Sequence, residues 1–182
     1  ILIFLIAFLP IVVVFCQLMS TFPLFLTRDL NYWESIYGLC FTLNTVLIIL
    51  VEVPLMNYLA KHTNLKLIRA GALLVGIGFG ATIFAHNLPV LFATVLVWTF
   101  GEMIIFPASA AYVSEIAHAG KRGTFMGYYQ TANNLAFSIG PWLGTVVYGN
   151  FGASVLWGAT FIMGILSYFL MGFARERKET GV

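Results

Sequence analysis

The chain has 182 residues, of which 60% are hydrophobic and only 9% charged, with a formal net charge of +2. A mean hydropathy of +0.95 excludes a soluble globular domain, whose surface would be rich in Lys, Arg, Asp and Glu. The apolar runs reach the roughly 20 residues a spanning helix needs, and none shows the roughly ten-residue apolar/polar alternation of an outer-membrane barrel strand.

Six spanning helices are predicted. The first covers Ile1 to Leu26 and the second Glu34 to Ala60, separated by the polar turn Thr27-Arg28-Asp29-Leu30-Asn31-Tyr32. The third runs from Leu67 to Ala85, and His86-Asn87-Leu88-Pro89 leads into the fourth, which continues to Ala117. Ala119-Gly120-Lys121-Arg122 precedes the fifth, which ends near Tyr148, and Gly149-Asn150-Phe151-Gly152 turns the chain into the sixth, fading at Ala174. Residues 1–174 are thus expected as one bundle and 175–182 as a charged cytoplasmic tail. Short connections imply antiparallel neighbours. Ile1 opens the chain without Met or a preceding basic region, which gives no support for a signal peptide and reads as a piece of a longer protein.

Cytoplasmic loops retain Lys and Arg, so the basic residues orient the bundle. Lys61, Lys66 and Arg69 flank the second connection, Lys121 and Arg122 the fourth, and Arg175, Arg177 and Lys178 the tail. All three places lie on one side of a six-helix topology, and only Arg28 lies on the other. Both ends are therefore expected in the cytoplasm. A loose internal repeat points the same way: Gly38, Asn44 and Pro54 in the second helix answer Gly127, Asn133 and Pro141 in the fifth. Three plus three helices in an inverted repeat are a transporter pattern, and the expected class is an all-α membrane protein of that form.

Glu102 interrupts the apolar stretch Trp98-Thr99-Phe100-Gly101-Glu102-Met103-Ile104-Ile105-Phe106-Pro107. A charge at bilayer depth costs from about 2.5 to over 10 kcal/mol, so a carboxyl there is by default functional. Its helical neighbours are Trp98, Phe106 and Ser109, aromatic and small polar groups rather than a second charge. Pro107 cannot donate to the carbonyl of Met103 and frees an acceptor beside it. With no cation nearby, this suits a proton-binding site; the bland alternative is a carboxyl that only hydrogen-bonds a neighbouring helix.

Glu52, in Leu50-Val51-Glu52-Val53-Pro54, has Asn44 and Thr45 on a similar face. It suits protons or substrate, or equally an ion pair with Lys61, about 13 Å along the helix. The fifth helix carries Tyr128, Tyr129, Gln130, Asn133, Asn134 and Ser138, with 130, 133, 134 and 138 expected on one polar face turned toward protein or a water-filled cavity. Aromatic rings plus amides suit a small molecule of mixed character. Gln17, Ser20 and Thr21 add a smaller contribution from the first helix. Interhelical amide bonding explains any one of these residues equally well.

Gly76 and Gly80, Gly123 and Gly127, and Gly140 and Gly144 are four apart, a spacing for close helix contact. Cys16 and Cys40 fall inside spans and read as small apolar packing. His62, His86 and His118 sit at membrane boundaries with no metal-ligand spacing. There is no His-Glu-x-x-His, no Gly-x-Ser-x-Gly and no phosphate-cradling loop ending in Lys-Ser or Lys-Thr, so neither an intramembrane hydrolase nor an ATP-driven pump is supported. No enzyme activity, cofactor, metal or nucleic-acid partner is expected, and energy would come from an ion gradient.

Gly101-Glu102-Met103 through Pro107, Ser114-Glu115-Ile116-Ala117 through Lys121-Arg122-Gly123, Gly127, and Ser138-Ile139-Gly140-Pro141-Trp142-Leu143-Gly144 together resemble the C-terminal six-helix half of a major facilitator superfamily transporter. Asn57-Tyr58-Leu59-Ala60-Lys61-His62 through Arg69 looks like a degenerate copy of the family's cytoplasmic loop motif, with Lys61 where the stronger copy has Asp. The resemblance implies a proton-coupled secondary transporter of the cytoplasmic (inner) membrane, working by alternating access against an N-terminal six-helix half or a second copy. The bacterial multidrug efflux branch looks closest, and the Gly-Glu pair before a Pro also resembles the proton-coupled peptide transporters. Glu102, Glu52, Gln130, Asn133, Asn134, Tyr129, Asn44, Gln17 and Trp98 are the expected proton- or substrate-binding residues. A non-transporting membrane scaffold is the competing expectation.

Overall fold

The structure is a computed structural model and describes residues 1–118 and 120–174; Arg175, Arg177 and Lys178 of the expected tail lie outside the described residues. The described residues form six α-helices: α1 Leu2–Phe15, α2 Thr21–Arg28, α3 Glu34–Leu59, α4 Asn64–Ala81, α5 Leu88–Ile116 and α6 Arg122–Met171. Short 3₁₀ turns, Cys16–Met19 and Thr82–Phe84, follow α1 and α4. Five of these helical stretches, all except the short α2, are long and apolar enough to cross a membrane.

Two features depart from six uniform spans. The predicted first helix is broken, with α1 ending in the 3₁₀ turn and α2 restarting after Ser20 at φ −119°, ψ −74°. Pro23 is the cause: it has no N–H for the carbonyl of Met19, and its ring crowds that carbonyl. The predicted fifth and sixth helices, in contrast, run together as α6. At about 1.5 Å per residue, 50 residues would reach roughly 75 Å, far beyond a hydrocarbon core of about 30 Å. Gly152, at φ 82° and ψ 174°, breaks the run in a backbone region open only to glycine and divides α6 into arms 122–151 and 153–171. The third helix starts three residues earlier than predicted, at Asn64, after an extended Thr63.

Helix α4 is the centre of the bundle, packing most extensively on α5 and heavily on α6, while α1 packs on α6. Glycine makes this possible. Gly71 lies against Gly101 and Ile105, Gly78 against the backbone of Trp98, Gly76 against Gly164 and Gly80 against Phe161. Gly140 and Gly144 play the same part toward Cys16 and Gln17 of the first span, whereas Gly123 and Gly127 face open space. Between the glycine seams lies an aromatic core in which Trp98 stacks on Phe79 at 5.3 Å and Phe79 on Trp157 at 6.4 Å. Cys16 and Cys40 are buried and unpaired, as small apolar packing requires.

Polar ties fix the two ends. At one end Asn64 donates to Glu115 at 2.5 Å, joining the start of α4 to the end of α5. Arg69 donates to the carbonyl of Tyr168 at 3.2 Å and lies 4.4 Å over its ring, near the end of α6. At the other end the Tyr148 hydroxyl donates to Asp29, beside Arg28. The basic second connection and the end of α6 therefore share a side, and Arg28 stands opposite.

Helix α3 is the exception to the close packing. Its buried residues are Cys40 and Asn44 only, and its contacts are chiefly with α5 and α2. It nonetheless shares a local pattern with the first arm of α6. Thr42 donates to the carbonyl of Gly38, and Thr131 to that of Gly127, each at 2.8 Å. In both helices the Gly and Thr are exposed, and the Asn two residues after the Thr, Asn44 or Asn133, is buried.

Candidate functional site

Glu102 lies midway along α5, and its carboxyl is half-buried. Asn87 starts this helix by accepting a hydrogen bond from the Val90 N–H at 3.0 Å, with a Pro in the first turn whose missing N–H costs nothing there. The carboxyl turns toward α3, where Asn44 Nδ2 donates to Glu102 Oε2 at 2.7 Å and to Thr99 Oγ1 at 3.2 Å. Asn44 and Thr99 are both buried. One amide thus bridges two α5 side chains that are three residues apart and on one helical face.

Glu52 lies two turns further along α3, half-buried, and its like charge acts on Glu102. It makes no pair with Lys61, whose ammonium instead lies 4.7 Å over the Tyr58 ring. The α5 sequence alone gave Glu102 a neighbourhood without a second charge. Folding supplies one, because α3 brings Glu52 to the same seam.

The remaining predicted residues sit elsewhere. Trp98 is fully buried in the aromatic core against α4, and its indole N–H has no acceptor among the described residues. Gln17 is buried in the break between α1 and α2. Its amide donates to the carbonyls of Val13 at 2.9 Å and Gly140 at 3.1 Å, and its carbonyl accepts from Thr21 at 2.9 Å and Ser20 at 3.2 Å. Both donors and both acceptor positions are filled. A cavity of about 180 Å³, lined by Val13, Gln17, Gly144, Leu156, Thr160 and Met163, lies beside it.

The polar face predicted on the fifth helix divides. Gln130, Asn134 and Ser138 are exposed, and Gln130 Nε2 donates to Asn134 Oδ1 at 3.1 Å. Asn133 turns inward and bonds back to the carbonyl of Tyr129 at 2.9 Å. The cause is angular: at about 100° per residue Asn133 falls about 60° outside the arc of about 80° that the other three occupy. Tyr129 is buried against Phe8 of α1, 5.4 Å between rings. The structure therefore brings Glu102 to Asn44, with Glu52 two turns further along the same helix as Asn44, and adds Thr99, which i,i+3 spacing from Glu102 makes recognisable. Gln130 and Asn134 form a separate exposed pair, and Gln17 and Tyr129 belong to the α1–α6 seam. Among the described residues no cluster of His, Cys, Asp and Glu could hold a metal.

An all-helical bundle with a carboxyl halfway along one span, bridged to the next, is consistent with what comparison shows. Residues 2–181 match the Major Facilitator Superfamily. An uncharacterized MFS-type transporter of Bacillus subtilis, YqjV, is 28% identical over 91% of this chain and 42% of its own length. The multidrug resistance protein MdtH of Aeromonas salmonicida is 29% identical over 77% of this chain and 39% of its own length. The crystal structure of the human organic anion transporter MFSD10 superposes with a TM-score of 0.77 at 19% identity, over 93% of this chain and 40% of that one. The chain spans about two fifths of the length of these relatives, which is the extent of one helical half. With the family match running almost end to end and the fold agreeing with it, the chain belongs to the Major Facilitator Superfamily.

Proposed function

We propose that the chain is the C-terminal six-helix half of a proton-coupled secondary transporter that exports small organic molecules across the cytoplasmic membrane by alternating access. Glu102 carries this reading. It is a half-buried carboxyl at the midpoint of a spanning helix, held by a neutral amide and with no basic partner among the described residues. A carboxyl so placed gains and loses a proton without an ion pair having to be broken. Gln130 and Asn134, exposed on the first arm of α6, offer donors and acceptors to a substrate of mixed character, with Tyr128 exposed beside them. Efflux of drug-like molecules follows the likeness to MdtH.

In this reading the helices form a three-plus-three inverted repeat, with α3 and the first arm of α6 in equivalent places, as their matching Gly, Thr and Asn positions support. Both chain ends lie in the cytoplasm, on the side of Lys61, Lys66 and Arg69. The opposite wall of the cavity comes from an N-terminal six-helix half or from a second copy. The test is flux in proteoliposomes holding the intact transporter. With Glu102→Gln, proton-driven transport is expected to stop while downhill substrate exchange continues. Unchanged proton-driven transport in that variant would refute the assignment.

A further inference from the structure

Asn44 behaves unlike every comparable side chain on its helix. Thr42 and Thr45 both turn back onto carbonyls of α3, at 2.8 and 2.9 Å. Asn133, in the matching place on α6, also bonds back to its own helix. Asn44 instead reaches across to α5, and it is the one buried polar residue of a helix that otherwise buries only Cys40. The acceptor explains the difference: a carboxylate oxygen outcompetes a backbone carbonyl already engaged in the helix, because charge-assisted hydrogen bonds are the stronger kind.

The bond also distinguishes the two carboxyl oxygens. Oε2 is taken by Asn44 at 2.7 Å, while Oε1 has no partner among the described residues. An amide does not titrate, so Asn44 donates to Oε2 in both states of the carboxyl, but more strongly when the carboxyl is ionised than when Oε1 carries a proton. Resting on the reading of Glu102 as the proton site, we infer that Asn44 is its positioning residue: it fixes Oε2 from α3, leaves Oε1 as the oxygen that exchanges the proton, and thereby ties the position of α3 to the state of that carboxyl. The helix suited to such a link is one loosely held elsewhere, and α3 is that helix. Glu52 stands on the same helix, two turns from Asn44, so any movement of α3 relative to α5 displaces the hydrogen bond and that carboxyl together. Arg69 on α4, the helix packed on the adjacent face of α5 through Trp98, Gly101 and Ile105, is engaged with Tyr168.

Infrared difference spectra of the intact transporter in liposomes, recorded across a pH jump, test this. The carboxyl C=O band that vanishes in Glu102→Gln belongs to Glu102. In Asn44→Ala that band is expected at higher wavenumber, as for a carbonyl with one hydrogen bond fewer, and proton-driven flux is expected to fall about tenfold, the order a hydrogen bond to a charged group commands. Asn44→Leu, which keeps much the same shape but has neither an N–H donor nor a titrating group, carries the same test should Asn44→Ala fail to fold. Thr42→Val removes a hydroxyl from α3 that, among the described residues, bonds only to the carbonyl of Gly38 and is expected to leave the band in place. A Glu102 band unmoved by loss of Asn44, or moved as far by Thr42→Val, overturns the positioning role while the proton site stands. No band lost in Glu102→Gln overturns the proton site itself.

Discussion

Gly76 of α4 and Gly164 of α6 meet backbone to backbone: a Cβ added to Gly76 would stand 2.7 Å from the Cα of Gly164. No rotamer relieves such a clash, because the obstacle is main chain. Gly76→Val is expected to lower stability by about 1–3 kcal/mol or to prevent folding. Gly158→Ala, where nothing lies within 4 Å, is expected to be neutral or slightly stabilising through its better helix propensity. Thermal unfolding of the intact transporter in detergent compares the two; equal effects would contradict the close packing.

Gln17 joins the broken first span to α6 through a fully satisfied amide. Gln17→Leu keeps the bulk but leaves the Thr21 hydroxyl without its acceptor and removes the side-chain donor to the Gly140 carbonyl, while Ser20 keeps the carbonyl of Cys16 at 3.2 Å. Leaving buried polar groups unpaired costs about 1–3 kcal/mol. The expected result is a lower unfolding midpoint, and an unaltered midpoint would show that the network does not hold the break together.

Gly152 sets the corner between the two arms of α6. At φ 82°, ψ 174°, a side chain is strained whatever space surrounds it, so Gly152→Ala is expected to cost about 1–3 kcal/mol although nothing lies within 4 Å of the site. Unfolding in detergent reads this loss. No loss would mean that the corner relaxes into ordinary helix.

The Tyr148 hydroxyl bond to Asp29 ties the first arm of α6 to the end of α2. It lies at an exposed end of the bundle, where a neutral donor adds little. Tyr148→Phe is expected to lower stability by no more than about 1 kcal/mol while speeding proteolysis in the 29–33 connection. A larger loss of stability would give this tie a weight that exposure does not predict.

Much of this was legible in the sequence because the bilayer imposes length and polarity on every span. Apolar runs placed α3, α4 and α5 to within a few residues, and the cost of a charge at bilayer depth pointed to Glu102 directly. What escaped depended on neighbours distant in the chain. The break after α1 was announced by Pro23, yet its repair by Gln17 needed Gly140 from α6. Gly71, Gly78 and Gly101 lack the four-residue spacing that marks a packing pair, and only the fold shows them pressed against α4 or α5. The partnership of Glu102 with Asn44, and the approach of Glu52, required α3 to be laid beside α5. Asn133 was misplaced for a simpler reason: a four-residue arc was read as one face, although its members span too wide an angle to share one environment.

The distribution of glycine gives the bundle a gradient of stiffness. Around α4 the backbones nearly touch, and amide protons there should exchange only when the whole bundle opens. Along α3, where few side chains are covered, exchange should proceed through local fluctuations. Sequence drift should follow the same gradient: substitutions in α4 would be removed for harming assembly, whereas α3, with few covered side chains, would tolerate more of them.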